Sequence, residues 1–178
     1  MEIPHIIIVT LDVEPEGIDG RTVIQKLCYF ASVRLKENAG YSADFYGPFS
    51  SLVAAHLQTL VGLDFVFERM RRTVHDRIMY GYCLTEDGQE LAKNVKKEHP
   101  REYSIIRSIV KKCGRIVHFN FYVLSWAAKV HFILEQTGKA MTCEEAMDTS
   151  RLFGWKLGER QIESGVRLLS ALGLIKKK

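Results

Sequence analysis

Residues 64–84 read DFVFERMRRTVHDRIMYGYCL, and this stretch decides how the chain is organised. Two strand-like runs, Asp64 to Arg72 and Arg77 to Leu84, flank Thr73-Val-His-Asp76, which has the length of a hairpin connection. Within the first run, Phe65 and Phe67 alternate with other residues, as expected for a strand with one buried face. The pattern therefore predicts a two-stranded antiparallel hairpin near the middle of the chain.

Helices are predicted on both sides of this hairpin from apolar residues at helical spacing. Before it, the predicted helices run from Pro4 to Glu14, Arg21 to Asn38 and Ser50 to Val61, with residues 15–20 as a turn. After it, the predicted helices begin at the cap Thr85, at Pro100, at Asn120, at the capping box Thr142-Cys-Glu-Glu145 and at Glu159. The sequence therefore predicts a mostly helical α+β protein.

The order of these elements predicts the architecture. Three helices, a hairpin and a further helix form the order of a winged helix-turn-helix, which we expect over residues 1–98. Residues 99–178 are expected to form a C-terminal helical domain. Leu169-Ser-Ala-Leu-Gly-Leu-Ile175 resembles the end of the third helix and indicates a second helix-turn-helix with its wing reduced to Ile175-Lys-Lys-Lys178. A plain three-helix bundle is the alternative for this domain.

The charge of the chain is unevenly distributed along its 178 residues. Residues 1–66 hold four Lys/Arg against eight Asp/Glu, residues 67–118 hold twelve against seven, and residues 119–178 hold nine against six. This asymmetry indicates either an anionic partner or an ordinary solvated surface. The N-terminus lacks the basic start of a secretory signal, and no apolar run has the length of a membrane span, so a cytoplasmic protein is expected.

Several short motifs resemble those of a known family. They are Arg21-Thr-Val-Ile-Gln-Lys-Leu-Cys-Tyr-Phe30, Tyr46-Gly-Pro-Phe-Ser50, Leu57-x-x-Leu60-x-Gly62, Ser125-x-Ala-Ala-Lys-Val-His131 and Leu152-Phe-Gly-Trp155. The chain resembles the YwgA-like proteins of bacteria and archaea and, more distantly, the Panacea domain associated with antitoxins. The resemblance implies a compact winged-helix or helix-turn-helix module and no catalytic residue.

The basic hairpin is the first candidate site. Arg69, Arg71, Arg72, His75 and Arg77 lie on the predicted wing and its tip. Arginine side chains at such a position can pair with DNA phosphates or enter a minor groove beside a helix in the major groove. The alternative is an exposed hairpin that its charge keeps soluble.

The third helix is the candidate for contact with DNA bases. Ser50, Ser51, His56 and Gln58 are expected on its exposed side, where Gln, Ser and Thr side chains can bond base edges or phosphates. Its inward residues are expected to be Leu52, Val53, Leu57 and Leu60. The helix carries no Arg or Lys, although arginine makes the commonest specific contact to guanine. Its small residues Ala54 and Ala55 would instead allow a partner protein to approach closely.

Two functions follow from these patterns. The first is a DNA-binding transcriptional regulator whose basic wing contacts the backbone of double-stranded DNA. The second is a protein-interaction module, antitoxin-like or a complex subunit, with no DNA binding. The chain shows no P-loop, no G-x-S-x-G motif and no metal-ligand spacing of His or Cys, so no enzyme, cofactor or metal site is predicted. The four widely spaced cysteines are expected to be free thiols.

An apolar helix and a second group of basic residues follow the hairpin. The strongly apolar helix from Asn120 to Gln136 is expected to be the central buried helix or a homodimer interface, and its Tyr122, Trp126 and Phe132 are expected to pack in the core rather than to line a ligand pocket. A second basic set is expected to form a solvated helix surface, or to extend a DNA footprint along the backbone. This set consists of Lys93, Lys96, Lys97, Arg101, Arg107, Lys111, Lys112 and Arg115.

Overall fold

The computed structural model of the chain describes residues 1–72, Asp76 and residues 78–175. These residues are mostly helical with a small antiparallel sheet, which confirms the predicted α+β class. The helices are α1 (Ile3–Asp12), α2 (Arg21–Leu35), α3 (Ser51–Gly62), α4 (Glu86–Glu98), α5 (Pro100–Val117), α6 (Phe121–Thr137), α7 (Cys143–Leu152) and α8 (Glu159–Leu172). The strands are β1 (Ile18–Asp19), β2 (Val66–Arg72) and β3 (Ile78–Leu84).

Helix starts follow the capping residues in the sequence. The hydroxyl of Thr85 accepts a hydrogen bond from the backbone N–H of Gly88 at 3.1 Å, which satisfies one of the free donors at the start of α4. Thr142 and Glu145 form the predicted capping box at the start of α7. Both helix starts were therefore predictable from a local pattern of side chains.

Strand β1 corrects the prediction that residues 15–20 are only a turn. Ile18 pairs with Tyr82 and Asp19 pairs with Gly81, so that β3 lies between β1 and β2 in the sheet. The backbone N–H of Gly20 extends this pairing by donating to the carbonyl of Tyr80 at 2.7 Å. Two residues are too few to show an alternating pattern, so the pairing with β3 determines this strand.

The register of the hairpin separates its side chains onto two faces. Glu68 lies opposite Tyr82, and Arg69 lies opposite Gly81. Because side chains alternate along a strand, Glu68, Met70 and Arg72 share one face, whereas Arg69 and Arg71 share the other. We call the first the inner face, because its Tyr82 is fully buried, and the second the outer face.

The hydrophobic core of the described residues runs through both halves of the chain. Helix α2 is buried from Val23 to Ser32 and contacts both α5 and α6. Helix α6 packs closely on α8, where a Cβ atom on Gly165 would lie 3.1 Å from the Cα atom of Ala127. The proposed boundary near residue 98 therefore stays a prediction of the sequence. No helix in the described part of the chain combines the length and the apolar character needed to cross a membrane.

Candidate functional site

Arg69 and Arg71 are held on the outer face of the sheet by Asp19. One guanidinium nitrogen of Arg69 lies 3.3 Å from the Asp19 carboxylate and donates to the carbonyl of Glu16 at 3.1 Å. Arg71 donates to the other carboxylate oxygen of Asp19. A Cβ atom on Gly81 would overlap both the Arg69 and the Asp19 side chains, so Arg69 lies flat across the sheet. The strand that the sequence missed thus carries the counter-charge for two of the predicted wing residues.

Arg72 lies on the inner face, but it is also paired. Its guanidinium is 3.0 Å from a carboxylate oxygen of Asp76, and the Arg72 side chain remains 76% exposed. His75 and Arg77, the other two residues predicted to contact DNA from the hairpin, lie outside the described residues. The described arginines of the hairpin therefore divide between two faces and each has an acidic partner.

A fourth paired arginine, Arg21, which the sequence analysis missed, joins the sheet to α2. Arg21 donates to the hydroxyl of Tyr82 at 2.8 Å and to the carboxylate of Glu68 at 3.3 Å, and its guanidinium lies 3.8 Å from the centre of the Tyr80 ring. The hydroxyl of Tyr82 also donates to Glu68. Burial raises the pKa of Glu68, but these hydrogen bonds and the Arg21 charge lower it by more, so its pKa lies below the ordinary value.

The residues of α3 that were predicted to contact DNA bases differ in their exposure. Ser51 and Gln58 are exposed and His56 is half-buried. Ser50 is fully buried, which makes its predicted contact with DNA wrong. Its hydroxyl caps α3 by accepting from the N–H of Val53 at 3.1 Å and also donates to the carbonyl of Ala39. A serine at the N-cap turns its hydroxyl toward the helix backbone, and here the preceding loop covers it.

The exposed side of α3 is neutral and partly apolar. Leu52 was predicted to point inward, but it is 47% exposed. Together with Phe49, Ser51, Ala55 and Gln58 it forms what we call the α3 surface. No Asp, Glu, Lys or Arg occurs between residues 49 and 63. Leu52 is displaced from the core because Val53, one position on, occupies the buried side of the helix.

A pocket opens beside the α3 surface, between α2 and α3. Its volume is about 340 Å³. Apolar side chains form most of its lining, and polar groups of α2 and α3 lie at its rim. The lining residues are Arg21, Ile24, Gln25, Phe49, Val53, Ala54, Leu57 and Gln58. A pocket of this character can accommodate an apolar side chain.

Two buried polar side chains of α2 hold the loop that precedes α3. The amide group of Gln25 donates to the carbonyl of Ser50 at 2.9 Å and accepts from the N–H of Ser50 at 3.1 Å. The ammonium group of Lys26 donates to the carbonyl of Pro48 at 2.7 Å. The short motifs Gln25-Lys26-Leu27 and Tyr46-Gly-Pro48 thus meet in space. The sequence singled out both motifs, but it assigned no role to Gln25 or Lys26.

Lys26 is the most heavily buried cation among the described residues, with 2% of its surface exposed. Burial, followed by repulsion from Lys129, lowers its pKa to about 7, while Asp44 acts in the opposite direction. Asp44 is exposed on the loop, and its carbonyl accepts a hydrogen bond from the indole N–H of Trp155 at 2.7 Å. The loop over residues 44–50 is thereby attached to α2 on one side and to the segment before α8 on the other.

Part of the second basic set forms a cleft between α4 and α5. Lys93, Lys96, Lys97 and Arg107 line a space of about 710 Å³. Other members of the set are tied elsewhere, since Lys111 lies 3.0 Å from Glu14 and Lys112 donates to the carbonyl of Ala171. The second basic set is therefore not one surface. Its four members at the cleft are the ones that lie close together.

The middle of helix α6 is buried in the hydrophobic core. Its buried residues include Leu124, Ala128 and Ile133, which leaves the first turns and the polar end of the helix at Glu135 and Gln136 as its accessible parts. Phe132 packs in the core as predicted, but Tyr122 is 60% exposed, so its predicted burial is wrong. The homodimer through residues 120–136 stays a prediction, and only the first turns of the helix offer apolar surface for it.

The cysteines and the possible metal ligands were the other candidates for a functional site. All four cysteines are free thiols, and burial raises the pKa of Cys28 and of Cys113 to about 12. No group of three or more His, Cys, Asp or Glu side chains with the geometry of a metal site occurs among the described residues. Comparison of the chain with models of known protein families, and with curated proteins, gave no match.

Proposed function

We propose that this chain is a winged-helix module that binds a protein partner through its α3 surface. The order α1-β1-α2-α3-β2-β3, with β1 paired to β3, supports the winged-helix assignment. The resemblance to the YwgA-like and Panacea families agrees with that assignment and with an antitoxin-like or subunit role. The order of elements leaves function open, so the surface itself must carry the functional argument.

The observation that carries the proposal is the character of the α3 surface. Charged residues are depleted and aromatic residues are enriched at the centres of protein interfaces. The α3 surface lacks charge and exposes Leu52 and Phe49, and it borders a pocket of about 340 Å³. The partner is therefore a protein that places an apolar side chain in this pocket and covers the uncharged helix around it.

The arrangement of the hairpin supports a protein partner over DNA. A DNA-binding face needs positive charge that extends from the wing to the neighbouring helix. Here Arg69 and Arg71 lie on the outer face, away from Glu68 and the inner face that adjoins α2. Asp19, shared by Arg69 and Arg71, and Asp76, which pairs with Arg72, offset two of the three positive charges of the described hairpin arginines.

DNA binding remains the second candidate, and one observation favours it. The Arg71 and Arg72 side chains are 53% and 76% exposed, and exposed ion pairs are weak enough to exchange a carboxylate for a phosphate. Under this alternative, Arg71 and Arg72 contact the DNA backbone, while Ser51, His56 and Gln58 reach the groove. Ser50 has no part in such contacts because it is buried.

The proposal is tested by capture of partners from the cells that encode the chain. Leu52→Glu places a charge in the α3 surface, whereas Leu152→Glu changes a leucine on α7 that is also exposed, at 84% against 47% for Leu52. Covalent cross-linking followed by mass spectrometry should identify a protein bound by the wild type and by Leu152→Glu. Leu52→Glu should bind this protein at least about tenfold more weakly, because burying an unpaired charge is costly. Equal capture by all three proteins would contradict the proposal.

A further inference from the structure

A third cavity lies on the other side of the loop over residues 44–50, away from the α3 surface. It is a cleft of about 570 Å³ between that loop, the first half of α6 and residues 154–161. Small-molecule sites have volumes of roughly 300–1,000 Å³. We call it the α6 cleft.

Aromatic side chains form the walls of the α6 cleft. Tyr46 and Phe121 meet edge to face at 5.4 Å between ring centres, and the ring of Tyr122 lies 4.4 Å from Phe121 and 6.2 Å from Trp126. On the facing side, the indole N–H of Trp155 is fixed by the carbonyl of Asp44. Aromatic walls of this kind favour a planar apolar ligand, which can stack on one ring and meet the edge of another.

Lys129 supplies a cation inside this aromatic setting. Its ammonium group lies 5.3 Å from the centre of the Trp155 ring, and burial lowers its pKa. It forms no ion pair with a described carboxylate, and it lies close enough to Lys26 for the two ammonium groups to repel each other. A partly desolvated cation of this kind is stabilised by an anion.

Ser125 adds a hydroxyl on the same side of α6 as Lys129. The two residues are four apart and are therefore neighbours on one helical face. Ser125 is 96% buried, and its hydroxyl has no hydrogen-bond partner in the described part of the chain. Buried polar groups are nearly always paired, so this hydroxyl indicates a partner that the protein itself does not supply.

We propose that the α6 cleft binds a small planar aromatic anion, such as an aromatic carboxylate. The aromatic walls hold the ring, and the anionic group is bound by Lys129 and by the hydroxyl of Ser125. This site is separate from the α3 surface and does not depend on the proposed protein partner. The loop over residues 44–50 lines the cleft and also precedes α3, so the two sites share one structural support.

The two tryptophans of the chain, Trp126 and Trp155, both line the cleft. Quenching of tryptophan fluorescence therefore reports on this site directly. The probes are cinnamate, which is a planar aromatic anion, and cinnamamide, its neutral counterpart of similar shape. Cinnamate should quench saturably and bind at least about tenfold more tightly than cinnamamide, because a hydrogen bond to a charged group is the stronger one.

Variants of Lys129 and Ser125 test whether these two side chains cause the preference for cinnamate over cinnamamide. Lys129→Met should abolish the preference for cinnamate and leave cinnamamide unchanged, while Lys139→Met, which removes an exposed lysine elsewhere, should behave as the wild type. Ser125→Ala should weaken cinnamate binding by a smaller factor, and it tests the site independently if Lys129→Met fails to fold. Equal binding of the two probes to the wild type, or no saturable quenching by either, would overturn the proposal.

Discussion

The hairpin and the loop over residues 44–50 flank α3, and the two regions differ in how they use their polar residues. The hairpin displays arginines that pair with acids at the surface. The loop is held from beneath by the buried side chains of Gln25 and Lys26. Exposed ion pairs contribute little to stability, whereas buried hydrogen bonds are costly to break. The residues most visible in the sequence are therefore not those on which the structure around α3 depends.

The largest effect is expected from Gln25→Leu. The change leaves the buried N–H of Ser50 without its partner, which costs roughly 1–3 kcal/mol. It also removes one of two hydrogen bonds to the Ser50 carbonyl, which still accepts from the N–H of Ala54 at 3.1 Å. The free energy of unfolding, measured with urea, should fall by about 1–4 kcal/mol. Gln89→Leu, at an exposed position on α4, is the matched control and should change it by less than about 0.5 kcal/mol. A loss of the same small size in both variants would remove the distinction between the two regions.

A pH-dependent effect is expected from Lys26. Its pKa of about 7 in the folded protein lies below the ordinary lysine value of 10.5, which applies to the unfolded chain. Between these values the unfolded chain binds the additional proton, so the free energy of unfolding rises with pH by up to about 1.4 kcal/mol per unit. The effect is complete near pH 10.5, and below pH 7 the full penalty for the buried charge is present.

Lys26→Met should remove this dependence. Urea unfolding of the wild type and of the variant at several values between pH 7 and pH 9 gives the difference in slope, which cancels the contributions of other groups. Wild-type stability should rise more steeply with pH than that of the variant. Parallel curves would show that Lys26 titrates as an ordinary exposed lysine, and the account of the loop would then lose one of its two supports.

A smaller effect is expected from Asp19→Asn. The variant removes the counter-charge of Arg69 and Arg71, and the loss of unfolding free energy should stay within about 1 kcal/mol because both arginines are partly exposed. Asp148→Asn, which breaks the exposed pair with Arg151 on α7, is the control and should lose a similar or smaller amount. A loss of several kcal/mol for Asp19→Asn alone would mean that the outer face of the sheet is as important to the fold as the loop.

The sequence predicted those parts of the structure that depend on residues close together in the chain, and it missed those that depend on distant residues. Local patterns predicted the helices, the caps Thr85 and Thr142 and the hairpin, because these depend on residues within a few positions of each other. Strand β1 was missed because Ile18 and Asp19 acquire their structure from β3, some sixty residues later. The exposed position of Leu52 depends likewise on packing that no local pattern records.

The candidate site was less predictable for the same reason. The sequence displays the charges of Arg69 and Arg71, but Asp19 becomes their partner only through a long-range pairing. Gln25 and Lys26 look like ordinary polar residues of an amphipathic helix, and their burial depends on the loop that covers them. The two short motifs that contain Gln25, Lys26 and Pro48 were a usable signal, because the structure joins them by direct hydrogen bonds.

The smallest effect on stability is expected from Arg71→Ala combined with Arg72→Ala, and this variant also decides between the two functions. The free energy of unfolding should change by less than about 1 kcal/mol, since both side chains are exposed. A folded variant then isolates the role of the hairpin in binding.

The most direct measurement is the affinity of wild type and of this double variant for a random DNA duplex, followed by fluorescence anisotropy between about 50 and 200 mM salt. We predict weak binding by the wild type at low salt and a change of less than about twofold in the double variant. Tight binding by the wild type that falls by roughly a thousandfold across this range, and that the double variant loses, would contradict the account and assign the function to the hairpin.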